Sequence, residues 1–248
     1  MTQSHTINTH VVLFDLDGTL IDSVDAIVAF WHNLATSHGL DPEEILRTSH
    51  GRRTLDVLTE LLPEKNYTQA KVNVLEATIP KQGIKSTAIV GARTFLNKLD
   101  AIPDKWAIVT SGSSALAGGW FDYLGWERPS VFITSECVTQ GKPQPDGYIL
   151  GGKTLLEKSQ KFTKSDLDGG KVNAPWIVFE DAPAGIKAGK GSGAVAVIGV
   201  ATTYDAQILI DAGADYVVQD YTNVSVASYD ENTGDLKIEI KDPLYARV

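Results

Sequence analysis

The 248-residue chain holds a single cysteine, Cys137. One thiol has no intrachain partner, so a disulfide framework is excluded and nothing calls for an oxidising compartment. No histidine and asparagine pattern accompanies Cys137 to make it a nucleophile, and it reads as a packed thiol. No apolar run approaches the length of a membrane span, and the polar stretch from Met1 to His10 lacks an apolar signal core. Basic charge is in deficit, with Lys+Arg 22 against Asp+Glu 31 and a net charge of -9. That balance argues against nucleic acid as the main partner, while a local basic pocket for one phosphate stays compatible. Internal repeats are lacking as well. A cytoplasmic monomer without membrane or nucleic-acid partner is expected. Its 43% hydrophobic and 21% charged residues are ordinary for a globular chain long enough for one large core, or for a core plus a small insert.

What is present is a recurring arrangement. Val11-Val12-Leu13-Phe14 is an apolar strand pattern that stops on Asp15, with Asp17 two residues on and then Gly18. Trp106-Ala107-Ile108-Val109 runs likewise into Thr110-Ser111-Gly112, and Trp176-Ile177-Val178-Phe179 into Glu180-Asp181. Strands buried on both faces of a parallel sheet read as continuous apolar runs, and ligands bind beyond their carboxyl ends where strand order reverses. The three polar clusters are therefore expected at one rim. Lys142, within Gly141-Lys142-Pro143-Gln144-Pro145 after the strand-like Val131 to Thr134, reads as a cation on a stiff loop aimed at an anion. Each cluster alone also fits a blander account. Asp-Gly is turn chemistry, Thr110 and Ser111 suit a helix cap, Glu180 and Asp181 suit a first helical turn, and a lysine is most often solvated. A calcium loop of the EF-hand type does not fit, because Gly18 comes too early and Leu20 and Ile21 are apolar.

Beyond residue 88, strand patterns alternate with helical ones, the signature of crossover units. Helices are expected at 91–99, 113–124, 183–191 and 206–212, and strands at 106–109, 176–179, 195–200 and 216–218. The expected fold class is α/β, a Rossmann-like three-layer sandwich with a parallel sheet built from residues 1–20 and 88–248. Between 21 and 87 the pattern is helical, at 26–38, 41–49, 54–62 and 67–78, without strands. Residues 155–174 are polar and glycine-bearing, with a surface loop expected in their middle, and 224–228 with 236–240 read as a hairpin.

Asp15-Leu16-Asp17-Gly18-Thr19, Thr110-Ser111-Gly112, Lys142 and Glu180-Asp181, in this order, resemble the four motifs of the haloacid dehalogenase superfamily, specifically its phosphatases. Ser49 to Thr54, Gly141 to Pro143 and Phe179 to Ile186 are similar to the fungal branch that contains 2-deoxyglucose-6-phosphate and glycerol-phosphate phosphatases. Asp211 to Val218 leans toward the deoxyglucose-phosphate members. The resemblance covers nearly the whole chain, and residues 21–87 are similar to the small helical cap of these proteins.

The resemblance implies a magnesium-dependent phosphoric monoester hydrolase acting on small sugar or polyol phosphates. Hexose phosphates like 2-deoxyglucose-6-phosphate come first, with glycerol or hexitol phosphates as alternatives. It implies Asp15 as the nucleophile and Asp17 as the acid that protonates the leaving alkoxide and then the base that deprotonates water. Magnesium would be held among Asp15, Asp17, Asp181 and Glu180, and phosphate by Thr110, Ser111, Gly112 and Lys142. The need is physical: a phosphate dianion repels a carboxylate until cations neutralise its oxygens. His50 and Arg53 are expected to reach the substrate from the cap, beside an alternative of equal weight in which Arg52 is solvated and His50 caps a helix; Trp31 and Trp120 are expected in the core. Three rivals stand beside this reading: a phosphosugar mutase of the same fold, a catalytically silent binding module and a hydrolytic dehalogenase. Thr19 favours the phosphatase over the mutase, and presence of both Asp15 and Asp17 disfavours the silent module. Dehalogenation does not use the second aspartate or magnesium.

Overall fold

Apolar four- and five-residue runs form the buried centre of the protein, whose computed structural model describes residues 3–159, 162 and 175–247. In chain order the elements begin with β1 (Ser4–Thr9), β2 (Val11–Phe14) and β3 (Ile21–Asp22). Four helices follow, α1 (Val24–His38), α2 (Pro42–Ser49), α3 (Thr54–Leu61) and α4 (Gln69–Glu76), before β4 (Thr87–Ala88). Then come α5 (Ala92–Asp100), β5 (Trp106–Val109), α6 (Ser114–Leu124), β6 (Phe132–Ile133) and α7 (Asp146–Lys158). The chain continues through β7 (Trp176–Glu180), α8 (Pro183–Gly191), β8 (Ala196–Val200), α9 (Ala206–Ala212) and β9 (Tyr216–Val218). It closes with β10 (Val224–Tyr229), β11 (Leu236–Lys241) and β12 (Tyr245–Ala246).

The main sheet has seven strands in the order β12-β9-β8-β7-β2-β5-β6, all parallel except β12. Alternate residues of each central strand serve opposite faces, as strand geometry requires. Val12, Phe14, Ile108 and Phe179 pack with α5, α6 and the three-stranded sheet β1-β11-β10. Val11, Leu13, Val109 and Val178 pack with α7, α8 and α9 on the other side. This is the expected α/β sandwich. The apolar cluster on the α5 and α6 side extends into α1, α2 and α3 through Trp31, Ile45, Val57 and Leu58. Those helices leave and return through the antiparallel ribbon β3–β4.

Four expectations need correction or completion. The segment 21–87, read as free of strands, begins and ends in the short paired strands β3 and β4. The polar N-terminal stretch forms β1, whose exposed and buried positions alternate and which pairs antiparallel with β11, so the expected hairpin becomes a three-stranded sheet. Cys137 is exposed rather than packed, because it closes a short helical turn where its Sγ accepts from the Thr134 N–H at 3.5 Å. The loop expected in the middle of 155–174 lies outside the described residues, while Leu155–Lys158 belong to α7.

Candidate active site

The strand order reverses at β2, which has β7 on one side and β5 on the other. Crossovers leave in opposite directions there and open a crevice beyond the carboxyl ends. Asp15 is the first residue past β2, Thr110 the first past β5, and Glu180 and Asp181 end and follow β7. The Asp15 N–H still donates to the Phe179 carbonyl at 3.1 Å, so the sheet itself fixes where the carboxylate begins. Lys142 arrives from the loop before α7, and its Nζ lies 2.6 Å from Asp15 Oδ1 and 2.6 Å from Glu180 Oε1. All three residues are buried.

Glu180 is tied down completely. Its Oε1 also accepts from the Tyr148 hydroxyl at 2.6 Å, and its Oε2 accepts from the N–H groups of Asp181 and Ala182 at 3.2 and 3.4 Å. A side chain at Gly185 would put its Cβ 1.7 Å from Glu180 Oε1, so glycine there makes room for the carboxylate. Burial alone would lower the Lys142 ammonium, but the charges of Asp15 and Glu180 together hold it above its ordinary value. Burial raises Glu180 and Asp181, and for Asp181 the nearby Asp15 and Glu180 charges add to it.

Gly18 turns the chain with φ +81°, and its missing Cβ leaves space that Asp181 Oδ2 would otherwise contest at 2.2 Å. Asp17 thereby faces a different way from Asp15. Its Oδ1 accepts from Ser23 Oγ at 2.6 Å and from Trp120 Nε1 at 2.7 Å. Burial is the main cause that pushes Asp17 up to about 7; the Ser23 and Trp120 hydrogen bonds oppose it, and the Asp15 and Glu76 charges add to it.

Asp15, Glu180 and Asp181 each present a carboxylate oxygen within 4.8 Å of the others, all buried. One ammonium, Lys142, faces this charge. The Thr19 hydroxyl lies 3.2 Å from Asp15 Oδ2 and 3.1 Å from Asp181 Oδ1, and its single proton satisfies only one of them. Asp15 and Asp181 are thus left with under-compensated oxygens side by side, a donor set that fits a hard divalent cation. The oxygens of Glu180 are already occupied, so of the four acids expected to share a metal it is the least open, and the Asp17 carboxyl is turned onto Ser23 and Trp120.

A cavity of about 610 Å³, counted out to its open mouth, lies over these groups. Asp15, Asp17, Thr110, Ser111, Gly112 and Asp181 line it from the sheet edge. Thr110 Oγ1 accepts from the Gly112 N–H at 3.0 Å, so that N–H is spent within the loop, and Ser111 Oγ donates to the Gly51 carbonyl at 2.8 Å. The helical side contributes Ile27, Trp31, Ser49, His50, Arg52 and Glu76 among others. His50 lines the cavity as expected, and burial lowers its imidazole.

Arg53 does not line it, which corrects its expected role. Its guanidinium clasps Asp56 through Nε and Nη2 at 2.8 Å each and donates to the carbonyls of Val138 and Thr139 at 2.9 and 3.0 Å. The neighbouring Arg52, for which solvent exposure is the open alternative, lines the cavity and pairs with Glu60 at 2.6 Å. Trp31 and Trp120 are buried as expected, yet one lines the cavity and the other bonds Asp17. Ser23, Glu76, Tyr148 and Thr203 are site residues that motif reading missed. Thr203 alone had a signal, since it follows the strand end at Val200 in the same manner as the named clusters.

Comparison with known proteins agrees with this geometry. Residues 12–200 match the family model described as haloacid dehalogenase-like hydrolase. Glycerol-1-phosphate phosphohydrolase 2 of Saccharomyces cerevisiae is 39% identical over 249 residues, covering 99% of this chain and 96% of its own. 2-Deoxyglucose-6-phosphate phosphatase 2 of the same yeast is 40% identical over 244 residues, covering 94% and 95%. The crystal structure of a hydrolase from Pseudomonas syringae superposes with a TM-score of 0.68 at 26% identity, covering 85% of this chain and 93% of that one. Among the described residues, no helix is long and apolar enough to cross a membrane.

Proposed function

The chain belongs to the haloacid dehalogenase-like hydrolases, and from that premise we propose that it hydrolyses small sugar or polyol phosphate monoesters through an aspartyl-phosphate on Asp15. The observation that carries this reading is the buried Asp15 carboxylate, held at 2.6 Å by Lys142, in one cavity with a second acid, Asp17, and with Asp181. Asp15 attacks phosphorus as the bond to the leaving oxygen breaks, and Asp17 gives that oxygen its proton. A water then attacks the acylated phosphorus, Asp17 takes its proton, and phosphate leaves while Asp15 is restored. Lys142 and the hydroxyl of Thr110 face the growing charge on the phosphoryl oxygens. Asp15 and Asp181 would hold magnesium, which when bound would offset the charge of the phosphate dianion. Glu180 then serves to hold Lys142 rather than the metal.

The helices from α1 to α4, residues 21–87 with their connections, act as a cap over the sheet edge, and Ser49, His50 and Arg52 meet the substrate's alcohol part. Relatives named for glycerol-1-phosphate and for 2-deoxyglucose-6-phosphate are nearly equally similar, so both esters belong to the proposed substrate class. The test is phosphate release from 2-deoxyglucose 6-phosphate, glycerol 1-phosphate and hexitol phosphates, with magnesium and with a chelator. Turnover should disappear with chelation and return on adding magnesium. Asp15→Asn should lower kcat by about 10⁴-fold or more while the fold stays intact by circular dichroism. Full activity in that variant removes Asp15 as nucleophile and the reading with it.

A further inference from the structure

Outside the groups used above, Glu76 is the buried acid that calls for an account. It ends α4, is 2% exposed, lines the cavity and has no cation against it among the described residues. Its Oε2 accepts from the Ser113 N–H at 2.7 Å, and the nearby hydroxyls of Ser113 and Thr54 favour its charged form. Burial raises it and these bonds oppose the rise. A main-chain N–H at 2.7 Å and two hydroxyls beside it make the carboxyl group an acceptor. A carboxylate offers about four acceptor positions, so the Ser113 N–H leaves others for the cavity. Ser49 supplies the second observation. It is 2% exposed, it lines the same cavity, and its Oγ has no hydrogen-bond partner. A buried hydroxyl without a partner costs stability unless something fills the role.

We propose that Glu76 and Ser49 form a subsite for a neutral hydroxyl of the substrate's alcohol part, making Glu76 a specificity-determining residue. The chemistry selects phosphate esters that carry a further hydroxyl over those that do not. A hydroxyl donates to Glu76 and can exchange a hydrogen bond with Ser49, an alkyl group leaves Ser49 unpaired and the free acceptor positions of Glu76 unfilled, and a second anionic group meets a carboxylate. A site built to bond a substrate hydroxyl rejects analogues lacking it far more strongly than an apolar pocket rejects a missing methylene. This inference rests on the phosphatase reading and refines it.

The test compares glycerol 1-phosphate with n-propyl phosphate, which has the same carbon chain without hydroxyls, in wild type, Glu76→Gln and Ser49→Ala with magnesium present. The readout is the ratio of the two kcat/KM values. Glu76→Gln should lower that ratio about tenfold or more, as loss of a hydrogen bond to a charged group does, and Ser49→Ala about threefold or more. A ratio unchanged in both variants, whether or not both rates fall together, overturns the subsite and leaves Glu76 as a structural tie to α6. If Glu76→Gln fails to fold, the Ser49→Ala ratio decides, because that change removes a hydroxyl with no partner to lose. Failure of the wild type to release phosphate from either of these esters or from 2-deoxyglucose 6-phosphate overturns the phosphatase reading instead.

Discussion

The two walls of the cavity are built on opposite plans. At the sheet edge, Asp15, Lys142, Glu180 and Tyr148 are linked in a buried chain of 2.6 Å contacts. On the helical side, Ser49 Oγ is unpartnered and Glu76 faces no cation among the described residues. The sheet edge is assembled before any substrate arrives, as electrostatic stabilisation of a transition state demands, because charge already in place needs no reorganisation. The helical wall keeps polar valences in reserve, which suits recognition. Stability and catalysis should therefore fall together when the sheet edge is damaged, and separate when the helical wall is.

Lys142→Met tests the first half and should give the largest effect. The variant removes a positioned cation from the proposed phosphoryl site, which should lower kcat by about 10²- to 10³-fold. It also leaves Asp15 and Glu180 buried without their ammonium, which costs about 3–5 kcal/mol as for other broken buried pairs. Urea unfolding and steady-state kinetics on the same preparation check both. A large loss of activity at unchanged stability would break the contrast, showing that the lysine is not integral to the folded edge.

The arginine pair sharpens the comparison. Arg53 joins the start of α3 to carbonyls of the loop that leads to Lys142, and its side chain is mostly buried. Arg53→Ala leaves those carbonyls and Asp56 short of donors, a loss of about 2 kcal/mol that lowers Tm by roughly 4–8 °C in a chain of this size. Arg52 pairs with the 64% exposed Glu60, a contact worth about 0–1 kcal/mol, so Arg52→Ala should shift Tm far less and act mainly on KM. Thermal melts beside Michaelis plots separate the two. The reverse order would return Arg53 to the substrate side.

These residues also show where sequence was informative. Asp15, Thr110 and Asp181 stood at the ends of apolar strands, and parallel topology converts such ends into one rim, so the rim was legible from local pattern. Arg52 and Arg53 are chemically alike neighbours, and which one meets the cavity depends on the path of the chain after Gly51, which no motif encodes. Trp120 carries an apolar ring and reads as core, which it is, and Tyr148, equally buried, gave no signal at all. Their polar tips matter only through partners 103 and 32 residues away. Ser49 and Glu76 were harder still, because a residue defined by what it leaves unpaired has no signature until the rest of the chain is in place. The strand β1 was hidden by its polar alternation until β11 supplied its partner.

Trp120→Phe should give the smallest effect and bears on the acid that joins the two walls. Ser23 and Trp120 both donate to Asp17 Oδ1, so a proton on the neutral acid belongs on Oδ2. With its pKa pushed from 3.8 to about 7, Asp17 keeps that proton under mildly acidic conditions and loses it as pH rises through 7. The sign for folding follows directly. A carboxyl raised in the native state adds stability that is full below about pH 4 and is lost as pH climbs through about 7. In the proposed mechanism the acid form of Asp17 protonates the leaving oxygen, so kcat/KM should fall on the alkaline side of about pH 7. Trp120 donates to the charged form and thereby lowers the pKa, and phenylalanine keeps a buried ring while removing the donor. The alkaline limb of the Trp120→Phe profile should move to higher pH, with kcat at its plateau changed only severalfold. A limb that moves down or stays put would mean that Asp17 is not the group the profile reports.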